Sequence, residues 1–150
     1  SDVCSSDLMA ALADKGLVKP DDHVVVPPSI QSGGRAVKDS FSHGTINLTA
    51  RGVVAQSSNI GTIMLSRQMD KATLSNYLAS FGLGSSTGIE LPDESGEAMG
   101  VLPGADMADY TRDQISFGQG LSVTAIQEAA AIASVTSRFV AKVVSPKTLW

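Results

Sequence analysis

The feature that most constrains this chain is a polar joint, Gln56-Ser57-Ser58-Asn59-Ile60-Gly61-Thr62, set between two apolar segments. Upstream, residues 48–55 read as a short helix with Thr49 as its N-cap. Downstream, Ile60, Ile63, Met64 and Leu65 open a second apolar face on a helix over 60–68. Ser57 and Asn59 therefore fall at a helix-to-helix joint, where a hydroxyl and a carboxamide two residues apart can reach one substrate or one catalytic side chain. A Ser-Ser-Asn triplet by itself also suits an ordinary cap and turn, so its meaning rests on what surrounds it.

A chain of 150 residues suits one domain or a piece of a larger one, able to bury about two thirds of its unfolded surface. Its net charge of −4 comes from interspersed charges of both signs, and without a basic cluster nothing points to nucleic acid. Apolar runs fall short of the ~20 residues that span a bilayer. The single Cys4 allows no internal disulfide. His23 and His43 show no metal-ligand spacing and read as solvated loop histidines, while a Ser-His-Asp triad built on His43 and Asp39 stays open.

Residues 1–8 read unlike the rest, as a translated adapter scar, and are set aside from fold reasoning, leaving 9–150 as a partial domain. Residues 9–15 form the tail of an alanine-rich helix stopped by Gly16. Residues 24–26 and 35–38 are short strands in a hairpin-like surface excursion punctuated by Pro27-Pro28 and Gly33-Gly34. Gly61 is expected to allow close backbone approach to a cleft. Asp70 caps a helix whose stripe is Leu74, Tyr77, Leu78 and Phe81, and Gly82 ends it. Ile89-Glu90-Leu91 is extended, with Glu90, Asp93 and Glu94 in a solvated loop, and residues 106–113 are a loop or short helix. Gly118-Gln119-Gly120 marks either tightly packed backbone or a plain turn. Thr124 and Gln127 form a capping box opening a long helix that packs through Ile126, Ala129, Ala130 and Ala133, and residues 139–144 read as a strand.

In order, Gly44-Thr45-Ile46-Asn47-Leu48-Thr49, Ser57-Ser58-Asn59-Ile60-Gly61-Thr62, Phe81-Gly82-Leu83-Gly84, Thr87-Gly88-Ile89-Glu90-Leu91-Pro92 and Ser116-Phe117-Gly118-Gln119-Gly120-Leu121-Ser122-Val123-Thr124 closely resemble the transpeptidase domain of class B penicillin-binding proteins. These are the D,D-transpeptidases that cross-link peptidoglycan, and the likeness is greatest to the division-specific septal type. The resemblance implies an α+β, mostly helical chain: the helical middle of the penicillin-binding protein and β-lactamase-like serine acyltransferase fold, lacking most of the sheet. It implies Ser57 and Asn59, the S-x-N element, as catalytic residues, and Ser58, Gly118, Gln119 and Gly120 as substrate-binding ones. No metal or organic cofactor is implied. The implied partners are stem peptides ending in D-Ala-D-Ala, β-lactams, and cell-division and wall-synthesis proteins. The full-length protein is expected to be anchored in the cytoplasmic membrane with this domain outside.

Two other family motifs do not match. The S-x-x-K nucleophile and base would fall at positions 2 and 5, which hold Asp2 and Ser5, and no lysine in the chain follows a serine by three. Lys147-Thr148-Leu149 resembles K-T-G, but Leu149 replaces the glycine and the interval from Ser57 is too short. The chain alone is therefore expected to be catalytically silent. A degenerate, non-catalytic module serving as a scaffold, a related carboxypeptidase and a β-lactamase are the alternatives; Ser58, where class A β-lactamases carry Asp, argues against the last. A helical part without its sheet is also expected to expose an apolar face.

Overall fold

The computed structural model describes residues 2–85, 102–119 and 121–143. Along the chain run α1 (Asp2–Asp14), β1 (His23–Val26), β2 (Ile30–Ser32), β3 (Arg35–Val37), β4 (Ile46–Thr49), α2 (Ala50–Ala55), α3 (Asn59–Ser66), α4 (Lys71–Ser80), α5 (Asp109–Ser116) and α6 (Ala125–Val143). Among the described residues the chain is thus α+β and mostly helical, with two small two-stranded antiparallel sheets, β1 with β4 and β2 with β3.

Alternation fixes β1: Val24 and Val26 point into the core while Val25 is 58% exposed. Its partner is β4, paired from His23 opposite Thr49 to Val26 opposite Ile46. The valine run is therefore a core strand rather than part of a surface excursion, because its partner lies some twenty residues on, where local pattern carries no trace of the pairing. The excursion proper is β2–β3. Ser32 pairs with Arg35 across Gly33-Gly34, both with positive φ (56° and 75°), the two-residue turn that glycines favour.

Helix α3 lies at the centre, packed on α1, α2, α5 and β1. Ile60, Ile63 and Leu65 are fully buried on it and join Leu8, Leu12, Val26, Val53, Leu74, Leu78 and Ile115 in the core. Gly61 serves this packing rather than a cleft, since a Cβ there would stand 2.7 Å from Val53 Cγ2 and 3.0 Å from Ser58 Oγ. Asp70 caps α4 through Thr73 N, and Leu74, Leu78 and Phe81 form its buried stripe with Tyr77 half-buried.

Two expectations about α6 are overturned. Residues 139–143 continue the helix rather than forming a strand, as no turn signal interrupts it and β-branched residues are only a weak prior against helix. Its inward line runs through Gln127 and Ala131, while Ala129, Ala130 and Ala133 face outward and Ile126 is half-buried. The cause is the capping box: Thr124 N donates to Gln127 Oε1 and Gln127 N to Thr124 Oγ1, while Gln127 Nε2 donates to Ser85 O at 2.6 Å, setting the helix's rotation. Residues 109–116 are helical, resolving the loop-or-helix alternative. The extended segment expected over 89–91, with Glu90, Asp93 and Glu94, lies outside the described residues.

Helix α1 includes residues 2–8, and on it Asp7 is 1% exposed with neither carboxylate oxygen hydrogen-bonded among the described residues. Burial, with a lesser push from the Glu128 charge, raises its pKa from 3.8 to about 6. A carboxyl raised this way favours the fold fully only below its unfolded value, and that contribution is lost as pH rises through about 6. The shift corresponds to about 3 kcal/mol at neutral pH. Asp7→Leu is predicted to raise the thermal midpoint at pH 7 and leave it nearly unchanged at pH 4. Melting curves across that range check this, and an equal shift at both pH values contradicts it.

Candidate active site

The joint forms because α2 stops in a particular way. Helices α1, α4 and α5 end at Gly16, Gly82 and Gly118, each with positive φ, and each end is closed by a pair of backbone bonds such as Gly118 N to Ile115 O and Gln119 N to Gln114 O. Helix α2 closes with the same pair, Ser57 N to Val54 O and Ser58 N to Val53 O, but the left-handed residue is Ser57, at φ 51°. Among the described residues Ser57 alone has positive φ without being glycine. A side chain is thus held in a conformation that costs an L-residue about 1–2 kcal/mol. The consequence is an exposed serine at a sharp reversal.

Ser58 follows as the N-cap of α3 and is fully buried. Its Oγ accepts from Gly61 N at 2.9 Å and donates to Asp39 Oδ2 at 2.7 Å. Asp39 Oδ1 accepts from Ile60 N at 2.9 Å, and His43 Nε2 stands 3.1 Å from Oδ2. The Asp39 side chain is wholly buried and that of His43 is 6% exposed, its ring centroid 4.9 Å from that of Phe41. His43 is therefore not a solvated loop histidine, because Asp39 and Phe41 cover it. Nor do these groups make a nucleophilic triad: the carboxylate sits between serine and imidazole, so no imidazole faces the hydroxyl. His23 is exposed, 3.3 Å from Asn47 Oδ1. Among the described residues no group of three His, Cys, Asp or Glu side chains is placed to hold a metal ion.

Asn59 begins α3 and opens to a cleft of about 550 Å³ between the β2–β3 hairpin and α5. Its Nδ2 donates to Lys38 O over a long 3.4 Å. Gln119, just past the end of α5, lines the same cleft with Tyr110 and Phe117. Of the residues singled out in the sequence, Asn59 and Gln119 thus share one cleft, Ser57 is exposed at the adjoining turn, and Ser58 is turned into the protein. Gly118 closes α5, and Gly120 lies outside the described residues.

Sequence reasoning missed the brace behind the cleft. Asp113, 2% exposed in its side chain, accepts from Arg67 Nη2 at 2.6 Å, from Arg67 Nε at 3.2 Å and from Ser32 Oγ at 2.8 Å. Burial alone would push its carboxyl up, but these hydrogen bonds and the Arg67 and Arg112 charges outweigh that and hold it below the usual range. One carboxylate so ties α3, α5 and the hairpin together. The Asp113-Ser32 contact spans 81 positions, beyond any local signal.

Because Ser57 occupies the place glycine takes in three other helix ends, Ser57→Gly is predicted to stabilise the chain by about 1 kcal/mol. Chemical denaturation of the two proteins measures it, and an unchanged or lower midpoint contradicts the strain.

Comparison with known proteins gives one consistent answer. The family model described as the penicillin binding protein transpeptidase domain matches residues 8–148. Penicillin-binding protein PbpB of Mycobacterium tuberculosis is 41% identical over 119 residues, 79% of this chain and 17% of that protein. Peptidoglycan D,D-transpeptidase FtsI of Escherichia coli is 33% identical over 131 residues, 87% of this chain and 21% of that one. Among solved structures, penicillin-binding protein 3 of Mycobacterium tuberculosis complexed with aztreonam superposes with a TM-score of 0.79 at 38% identity, over 89% of this chain and 30% of that one. A peptidoglycan synthetase from Bifidobacterium adolescentis gives 0.81 at 33%, over 91% and 24%. The chain spans about a fifth of the length of the curated relatives it matches. It belongs to the penicillin-binding protein transpeptidase domain family.

Proposed function

We propose that the protein carrying this segment is a peptidoglycan D,D-transpeptidase of the division-specific class B type, with Ser57 and Asn59 as catalytic groups. The observation that carries this reading is the cleft shared by Asn59 and Gln119 beside the left-handed Ser57. The reaction begins when a serine hydroxyl attacks the penultimate D-Ala carbonyl of a stem peptide, forming an acyl-enzyme and releasing the terminal D-Ala. An amine of a neighbouring strand then takes the acyl group and frees the serine. The serine and its lysine base belong to an S-x-x-K element, a sequence absent from these 150 residues.

Ser57 relays a proton between that lysine and the leaving, then the attacking, amine. Asn59 offers its carboxamide oxygen to the lysine ammonium and its Nδ2 to the substrate amide carbonyl. The long bond from Nδ2 to Lys38 O is weak enough to be exchanged for a substrate bond. Gln119 and the backbone around Gly118 and Gly120 contact the peptide, while Ser58 acts through the joint rather than by touching substrate. β-Lactams acylate the same serine. Membrane anchoring, an extracytoplasmic location and cell-division and wall-synthesis partners belong to the same reading; among the described residues no helix is long and apolar enough to cross a membrane.

The test is a chimera in which residues 9–148 replace the matching stretch of the Mycobacterium tuberculosis relative, which keeps its own remaining sequence. Fluorescent penicillin is predicted to label the chimera, and Ser57→Ala or Asn59→Ala to slow transpeptidation by roughly 100-fold or more. The isolated 150-residue chain should stay unlabelled, consistent with losses on the order of a million when a nucleophile is removed. Full activity of both variants contradicts the assignment, and an unlabelled but folded chimera favours the non-catalytic scaffold.

A further inference from the structure

We infer that the cleft beside Asn59 carries an anion subsite, formed by Arg35 and Lys38, that binds a carboxylate of the peptide substrate upstream of its D-Ala-D-Ala end. The inference rests on the transpeptidase reading, and four observations support it. Both cations line the cleft, and among the described residues no Asp or Glu lines it with them. The local charge of +2 stands against a chain whose net charge is −4, so it does not follow from general basicity. Arg35 and Lys38 are exposed, and neither forms an ion pair among the described residues, a state they share with Lys15 and Lys19, whereas Arg51, Arg67, Lys71 and Arg112 are paired.

The third observation is that the element carrying them is held in advance. The Gly33-Gly34 turn fixes the strands, Ser32 Oγ is bonded to buried Asp113, and the Tyr110 side chain lies so close to Gly33 that a Cβ there would meet it at 2.7 Å. Cations carried on a fixed hairpin need no ordering of the backbone on binding, although their side chains still do. Fourth, Lys38 is joined to the catalytic side of the cleft, its carbonyl accepting from Asn59 Nδ2. An occupant that engages Asn59 shares the cleft with the two cations. Arg35 offers a planar fork that matches a carboxylate, and the Gln114 and Gln119 amides on the facing wall suit peptide groups.

The experiment titrates the chimera carrying residues 9–148 in the Mycobacterium tuberculosis relative with two synthetic peptides, followed by NMR with selectively labelled arginine, lysine and asparagine. Both end in D-Ala-D-Ala; one bears two free carboxylates upstream, and in the other both are amidated. The acidic peptide should bind roughly 5- to 10-fold more tightly at low salt, moving the signals of Arg35, Lys38 and Asn59, and the preference should shrink at high salt. Replacing both cations, as Arg35→Gln with Lys38→Gln, should bring the two affinities together, chiefly by weakening the acidic peptide. Equal affinities with Asn59 still perturbed overturn the subsite and leave the transpeptidase cleft standing, as does a preference that survives the double replacement. If neither peptide moves Asn59, the cleft reading fails and the subsite fails with it.

Discussion

The Asp39 carboxylate is the interaction on which the joint depends. It stands at the start of α3 and receives the Ile60 amide, the Ser58 hydroxyl and the approach of the His43 ring. The first amides of a helix have no partners within it and carry partial positive charge, so a buried anion there is stabilised by the hydrogen bonds and by the helix dipole. Ser58 completes the arrangement by capping Gly61 N while donating to Asp39, which leaves its hydroxyl no free role in a cleft. The middle residue of S-x-N is thus the inward anchor, and the residues on either side point elsewhere because of it.

Two consequences follow for the site. Ser57 is forced into a left-handed conformation because α2 must close on one side and α3 must begin at once on the other. Asn59, as the first residue of α3, takes its direction from a helix packed on every side by the core. The opposite wall is set independently, by Asp113 holding the hairpin and α5 through Ser32 and Arg67. Two buried carboxylates, one at each end of α3, therefore define the cleft. Removing one partner of such a buried network is costly, since the remaining charge is left unpaired.

Much of this was legible in the sequence where the signal is local. The caps at Thr49, Asp70 and Thr124, the glycine stops at Gly16 and Gly82, and the joint itself follow from side chains acting within a few residues of their own backbone. What was not legible depends on distant pairing. Nothing in the valine run of β1 names β4 as its partner, and the inward rotation of α6 follows from a bond between Gln127 and Ser85 that spacing within the helix cannot show. His43 looked solvated because Asp39 and Phe41, its near neighbours in sequence, fold back over it only when Asp39 is drawn to α3. At the site, Asn59 and Gln119 were found through motif resemblance, while Asp39 and Asp113 carry no motif at all.

On the proposed transpeptidase reading, Asp39 acts on the chemistry only by holding Asn59 in place. A double-mutant cycle on penicillin acylation, in the chimera with the Mycobacterium tuberculosis relative, tests it most directly. Asp39→Asn should slow acylation by roughly tenfold or more when Asn59 is present, the scale expected of misplacement at a distance, and should have little further effect in an Asn59→Ala background. Losses that simply multiply, with Asp39→Asn costing as much without Asn59 as with it, would show that the carboxylate and the carboxamide act independently and would contradict the account.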